Sequence, residues 1–108
     1  MKLTILLLTL LVFVGGCAQM QFTPIPVNQE AAGLCNQICK SYDKDLSNGP
    51  CLSGNNSDWT VNDWVCDVAH SPRQPTDDLP ENQCSAYRDG QAHHFVEVDT
   101  ECNLIRKI

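Results

Sequence analysis

Cysteine is the residue type with the clearest chemistry in this chain. An even set of six lies between positions 35 and 102 without any CxxC pair, a pattern typical of three disulfides and not of a zinc site. These are Cys35, Cys39, Cys51, Cys66, Cys84 and Cys102. Cys35 and Cys39 are one helical turn apart with parallel side chains, so we expect each to bond elsewhere and not to the other. The remaining pairings stay open.

The seventh cysteine, Cys17, follows an export signal. Lys2 precedes an uncharged apolar run at 3–14, which is shorter than the ~20 residues of a membrane-spanning helix. The Gly-Gly-Cys sequence at 15–17 resembles the lipobox of prokaryotic lipoproteins. The resemblance covers only residues 1–17, and it implies cleavage before Cys17 and transfer of diacylglycerol to its thiol. Ordinary cleavage after Ala18 is the alternative.

Cleavage before Cys17 would divide the chain into three parts. We expect residues 1–16 to be a lipoprotein-type signal peptide. Residues 17–28 would form the lipidated cysteine and an extended tether containing two prolines, and residues 29–108 a single globular domain. A domain this small buries a modest core, so disulfides are expected to supplement its stability. Disulfides require an oxidising compartment, which agrees with export to the extracytoplasmic face of a membrane or, if the chain is not lipidated, with secretion.

Charge narrows the choice of partners. The chain has 7 basic and 13 acidic residues and a net charge of −6. This balance and the lack of a basic cluster argue against a nucleic-acid partner. Anionic lipid headgroups would repel the domain, so the acyl chains on Cys17 would be its only membrane attachment. We expect a monomer.

The periodicity of apolar residues predicts a small disulfide-rich α+β fold. Helical spacing over 29–43, after a possible N-cap at Asn28, predicts one N-terminal helix. Alternation predicts strands at 64–69 and 93–99, and a last strand at 103–107, with 59–61 as a further candidate. Residues 85–88 precede Asp89-Gly90, which favours a hairpin. The predicted architecture is one helix packed on a short antiparallel sheet of three to five strands, with Trp59 and Trp64 in the core.

The segment 70–83 is the strongest candidate for recognition. It has three prolines and no apolar period, and it lies between Cys66 and Cys84, so we expect a surface loop held at both ends. Prolines lower the conformational entropy that binding must remove. The candidate partner-binding residues are His70, Pro72, Arg73, Gln74, Pro75, Asp77 and Asp78.

This pattern favours a lipid-anchored, extracytoplasmic binding protein whose loop recognises a protein or a glycan. The alternatives are a purely structural envelope lipoprotein and, with less support, a protease-inhibitor-like module presenting Arg73. No nucleophile–base signature such as GxSxG is present, so we expect no enzymatic activity and no catalytic residues.

Metal ligation has little support in the sequence. His93 and His94 are adjacent, so on a strand they would point to opposite faces. Residues 43–49 approach a calcium loop, but the glycine is at the seventh position and the twelfth residue is Gly54. We therefore expect neither a metal nor a cofactor. Asn55 begins a glycosylation sequon, which matters only in a host that modifies such sites.

Overall fold

The computed structural model describes residues 23–108. The predicted signal peptide (1–16) and the first half of the predicted tether (17–22, with Cys17) lie outside the described residues. The helices are α1 (Val27–Ser41) and the one-turn α2 (Ser85–Arg88), and the strands are β1 (Trp64–Val68), β2 (His94–Val98) and β3 (Leu104–Lys107). Two 3-10 turns, Pro75–Asp78 and Pro80–Asn82, lie between β1 and α2. The predicted α+β class, with one long helix packed on a short sheet, is confirmed.

Helix α1 occupies the predicted region but begins and ends two residues earlier than expected. Its N-cap is Pro26, whose carbonyl accepts hydrogen bonds from the Gln29 and Glu30 N–H groups, and Asn28 lies inside the first turn. Proline has a φ suited to helix initiation, so no side-chain cap is needed. The helix buries one stripe against the sheet, formed by Ala31, Cys35, Ile38 and Cys39.

The sheet is mixed, and the expectation of a fully antiparallel sheet was wrong in this respect. Its strand order is β1-β2-β3, with β1 and β2 parallel and β2 and β3 antiparallel. Parallel neighbours need a long crossover connection. Residues 69–93 provide it, because they leave the end of β1, cross one face of the sheet and return to the start of β2.

The segment 85–88 forms α2 and not the first strand of a hairpin. Asp89 has φ −86° and ψ 0°, whereas Gly90 has φ +76°. One left-handed glycine directly after a helical turn is a common way to end a helix, while a type I′ hairpin needs positive φ at both central residues. The Asp-Gly pair therefore marks a helix end. Residues 59–61 also lie outside any strand.

The two faces of the sheet have different roles. Trp64, Cys66 and Val68 of β1 face α1 together with Val96 and Val98 of β2, as alternation predicted for β1. Trp59 packs against this core, and its indole N–H donates to the Trp64 carbonyl at 2.9 Å. Both tryptophans thus contribute to the core as expected. Val65 and Asp67 of β1, Phe95 and Glu97 of β2, and Arg106 of β3 belong to the second face, which the crossover covers in part.

Three disulfides hold these layers together. Cys35 bonds to Cys66 of β1 and Cys39 bonds to Cys102, which precedes β3. The prediction that the two helix cysteines bond to other parts of the chain, and not to each other, is confirmed. The third disulfide joins Cys51 to Cys84. Stable bonds of this kind indicate folding in an oxidising, extracytoplasmic environment.

Within residues 23–108, neither helix is long and apolar enough to cross a membrane.

Candidate functional site

The second face of the sheet bears a row of three charged side chains. In the parallel register Asp67 is opposite Glu97, and in the antiparallel register Glu97 is opposite Arg106. Cross-strand partners place their side chains on the same face of a sheet. The row forms part of a cavity of about 420 Å³ between the sheet, α2 and the segment 70–83. This volume is in the range of small-molecule sites.

Glu97 is a buried carboxylate held by two arginines. It is only 5% exposed. The Arg73 Nη1 donates to its Oε2 at 3.0 Å, and Arg106 donates from Nε and Nη2 to its Oε1, each at 3.1 Å. A buried charge is tolerated only when it is paired and hydrogen-bonded, and Glu97 meets both conditions. Arg73 belongs to the loop and Arg106 to β3, so Glu97 joins the loop to the sheet.

Asp67, the neighbour of Glu97 in the row, differs from it in protonation. Burial and the negative charge of Glu97 raise the pKa of Asp67 to about 8. The group is therefore mostly neutral at pH 7. Its Oδ1 is buried and has no hydrogen-bond partner among the described residues. The fold thus contains a cavity-lining carboxyl group with one oxygen that is not used in hydrogen bonding within the described residues.

An aromatic wall completes the cavity. The rings of Tyr87, on α2, and Phe95, on β2, meet edge to face with 5.1 Å between their centroids. The guanidinium of Arg106 lies 6.0 Å from the centroid of the Phe95 ring, at the limit of a cation–π contact. Tyr87 remains 44% exposed, so part of this apolar surface is open to a ligand.

The loop 70–83 forms a second wall, and Asp77 holds it in shape. Asp77 is 1% exposed. Its Oδ2 accepts hydrogen bonds from the N–H groups of His70 (3.0 Å) and Gln74 (2.8 Å), and its Oδ1 lies 2.9 Å from the His70 ring. Burial alone would raise the pKa of Asp77, but these hydrogen bonds lower it below its ordinary value. Gly49 makes room for the carboxylate, because a Cβ there would lie 2.5 Å from Asp77 Oδ1.

The structure divides the seven predicted partner-binding residues into two groups. Pro72, Gln74, Pro75 and Asp78 are exposed and accessible to a partner, and Arg73 lines the cavity. Asp77 is buried and its carboxylate accepts hydrogen bonds within the loop, and a direct partner contact by this residue stays a prediction. His70 is also largely engaged, with 17% of its side chain exposed.

Sequence reasoning missed most of the cavity. Asp67 and Glu97 occupy strand positions on the side away from the core, which was the only available signal. Their adjacency depends on the register of β1 and β2, which the sequence pattern did not specify. The residues missed are Asp67, Glu97, Arg88, Arg106, Tyr87 and Phe95.

The two adjacent histidines also differ from the prediction. Both rings approach Asp63, with His93 Nδ1 at 2.6 Å from Oδ1 and His94 Nε2 at 3.6 Å from Oδ2. His93 precedes β2, so strand alternation does not apply to it. The hydrogen bond from His93 lowers the pKa of Asp63. Within residues 23–108, no group of three or more His, Cys, Asp or Glu side chains is arranged to hold a metal ion.

No protein-family model, no curated protein and no solved structure matches the chain. The function therefore has to be argued from the cavity itself. A concave site with an aromatic wall, convergent arginines and one unused carboxyl group is chemically suited to binding a small polar molecule that also has an apolar part.

Proposed function

We propose that this protein is a lipid-anchored, extracytoplasmic binding protein whose recognition site is the cavity beside the loop 70–83. The observation that supports this best is the attachment of the loop to the sheet. Arg73 bonds at once to Asp78 of the loop (2.8 Å) and to Glu97 of β2 (3.0 Å). The loop wall and the sheet wall of the cavity therefore have a fixed spacing before any ligand arrives.

Preorganisation gives this loop a reason to be long and rigid. Asp77 fixes one end of the loop, and the Cys51–Cys84 disulfide fixes the other against β1. Binding to a loop that is already ordered loses less conformational entropy, so more of the contact energy appears as affinity. A purely structural lipoprotein has no need of a cavity held open in this way.

Attachment through Cys17 would keep the site close to the membrane. Removal of residues 1–16 deletes Lys2 and no acidic residue, which changes the net charge from −6 to −7. A domain of this charge is repelled by anionic headgroups, so the acyl chains would hold the protein. Of the predicted tether residues that are described, 23–26 have no helix or strand, and 27–28 form the start of α1.

The protease-inhibitor alternative loses support from the position of Arg73. An inhibitory arginine must extend into the pocket of a protease. Here the guanidinium is bonded to Asp78 and Glu97, and only 36% of the side chain is exposed.

Fragment screening by NMR on the mature protein, purified from its host in detergent micelles, tests the proposed function. A chemically diverse fragment library should shift amide resonances of the loop, α2 and the second sheet face, because preformed cavities are where small molecules bind. Shifts scattered over the surface, or no saturable shifts at all, would favour the structural lipoprotein instead. The exposed face of α1 is the internal control, since it lies across the sheet from the cavity.

A further inference from the structure

Positive charge in this acidic protein is concentrated at one place. The chain contains three arginines, Arg73, Arg88 and Arg106, and all three line the cavity. The three lysines among residues 23–108, Lys40, Lys44 and Lys107, do not line this cavity. A chain with a net charge of −6 thus has a concave surface lined by three arginine side chains. A cleft of this kind focuses the electric field of the charges that line it.

The acidic residues of the cavity do not cancel this charge. Glu97 neutralises one arginine equivalent, and Asp67 has a pKa raised to about 8 by burial and by the charge of Glu97, so it adds little negative charge at pH 7. Arg73 is also paired with Asp78, outside the lining, so three guanidinium groups meet two carboxylates and one positive charge remains in excess. The cavity would repel a cationic ligand and attract an anion.

Some of the guanidinium donors are free to bind a ligand. Arg73 is committed to Asp78 and Glu97, and Arg106 uses Nε and Nη2 on Glu97. The Nη1 of Arg106 has no hydrogen-bond acceptor among residues 23–108, and neither does any side-chain nitrogen of Arg88. Arginine matches the planar geometry of a carboxylate with two parallel N–H donors.

The aromatic wall specifies the rest of the ligand. Phe95 and Tyr87 present ring surface to the same cavity in which the free arginine donors lie. A planar ring stacked on or against them would bury apolar area, and about 420 Å³ accommodates a ligand with one or two rings. A neutral sugar would leave the arginines unsatisfied, while a bare inorganic anion would leave the aromatic wall unused.

We propose that the cavity binds a small aromatic carboxylate, with its carboxylate at Arg88 and Arg106 and its ring against Phe95 and Tyr87. This inference rests on the proposed function and adds the chemical class of the ligand. Arg73 and Glu97 act as positioning residues, because they hold Arg106 and the loop in place through the bonds described above.

The test is calorimetric and NMR titration of the mature protein in micelles with three probes: phenylacetate, cinnamate and indole-3-acetate. We expect saturable binding of at least one probe, with shifts confined to α2 and the second sheet face. Phenylacetamide, the neutral isostere of phenylacetate, and acetate, which lacks the ring, should each bind at least ~10-fold more weakly, as expected for loss of a charge-assisted bond or of the aromatic contact.

Matched variants separate a specific site from general charge attraction. Arg88→Gln should weaken binding at least ~10-fold, because a hydrogen bond to a charged group is lost. Lys107→Gln is the control, because it removes the same charge from the residue next to Arg106. Lys107 pairs with the core-facing Val96 and so lies on the other face of the sheet from the cavity, and this variant should leave affinity within ~2-fold. Phe95→Leu should weaken binding with little loss of fold.

Each other outcome overturns the inference. If none of the three probes binds, or if phenylacetamide equals phenylacetate, or if Arg88→Gln and Lys107→Gln have the same effect, the cavity is not an aromatic carboxylate site. The proposed function survives such a result if the fragment screen still finds other chemical classes in the cavity. It fails separately if no fragment binds there.

Discussion

Asp67 and Glu97 show how two equivalent residue types acquire different states from their surroundings. They are cross-strand partners on the same sheet face. Glu97 is bonded to Arg73 and Arg106, whereas Asp67 has an Oδ1 without a partner among the described residues. The pKa of Asp67 rises to about 8 because it is buried and lies beside the ionised Glu97. Burial, and after it the charge of the paired Glu97, thus keep the Asp67 carboxyl group mostly neutral at pH 7.

This difference predicts an unusual dependence of stability on pH. Between its ordinary pKa of 3.8 and about 8, Asp67 keeps its proton in the native protein but loses it on unfolding. The stability that it contributes is complete below about pH 4 and is lost as the pH rises to about 8, by at most ~1.4 kcal/mol per pH unit. Glu97, Arg73 and Asp77 are the charged groups that affect this titration.

Asp67→Asn should remove this loss, because the amide has no proton to release. Chemical unfolding from pH 4 to 8 with the disulfides intact would measure the change, and the variant should gain stability over the wild type as pH rises. The control is Asp43→Asn, which removes an exposed carboxylate. Parallel curves for wild type and Asp67→Asn would contradict the raised pKa.

Gly49 is a residue at which a single added carbon should be costly. Its φ is +67°, and a Cβ would lie 2.5 Å from Asp77 Oδ1 and 2.9 Å from the Val68 carbonyl oxygen. Gly49→Ala should lower the free energy of unfolding by more than ~2 kcal/mol, because the left-handed backbone alone costs an L-residue ~1–2 kcal/mol. Gly90→Ala separates the two causes, since Gly90 has φ +76° with no atom within 4 Å of the added Cβ.

Denaturant titration of both glycine variants gives the comparison directly. Gly90→Ala should show only the backbone part, about 1–2 kcal/mol. Equal losses at the two positions would mean that Asp77 does not need the space beside Gly49. The acid limb of the stability curve gives a second readout for Asp77. Its lowered pKa contributes stability that is present above about pH 4, the ordinary range, and is lost as the pH falls further.

At the scale of elements, the crossover 69–93 determines the site. It makes β1 and β2 parallel, supplies two walls of the cavity and brings α2 beside β1. The Cys51–Cys84 disulfide ties it to the outer edge of β1, where Cys51 bridges Asp67. The Cys35–Cys66 disulfide spans a similar sequence separation, 31 against 33, but joins α1 to the sheet.

Removing each of these two disulfides should therefore have the same energetic but different structural effects. Replacing Cys51 and Cys84 with alanine, or Cys35 and Cys66, should lower the free energy of unfolding by roughly 2–4 kcal/mol in each case, given the similar loop lengths. Native-state hydrogen exchange should accelerate in 70–92 only for the first pair. Faster exchange in that segment for both pairs would contradict a specific role of Cys51–Cys84 at the cavity.

At the scale of the whole molecule, a small apolar core is supplemented by covalent bonds. The main core lies between α1 and one sheet face, and four of the six half-cystines belong to it. Cys35, Cys39, Cys66 and Cys102 belong to the main core, and Cys51 and Cys84 to the second cluster. The disulfides are thus part of the packing as well as cross-links.

Intact mass spectrometry of membrane-extracted protein tests maturation of the whole chain. We expect a mass that corresponds to residues 17–108 with a diacylglyceryl group on Cys17, and a gain of six hydrogens on reduction, two for each of the three disulfides. Cys17→Ser is the control that should abolish lipidation. An unmodified chain beginning at Gln19 would establish ordinary secretion instead.

The sequence by itself determined the local features of this protein. Helical and alternating periodicity located α1, β1 and β2 to within about two residues, because each buries one face against the same core, and the last strand, β3, begins one residue later than predicted. Spacing along α1 also excluded a Cys35–Cys39 bond, as the structure confirms. These properties depend on neighbours a few residues apart, which the linear chain displays.

Only the tertiary structure decided which distant residues meet. The parallel register of β1 and β2 places Asp67 beside Glu97, and the crossover brings Arg73 and Arg88 to the same cavity. The burial of Asp77 and the helix end at Asp89-Gly90 were likewise visible only in the tertiary structure. Charge pairing, burial and raised pKa values arise from contacts between segments far apart in the chain, and no local pattern of residues specifies those contacts.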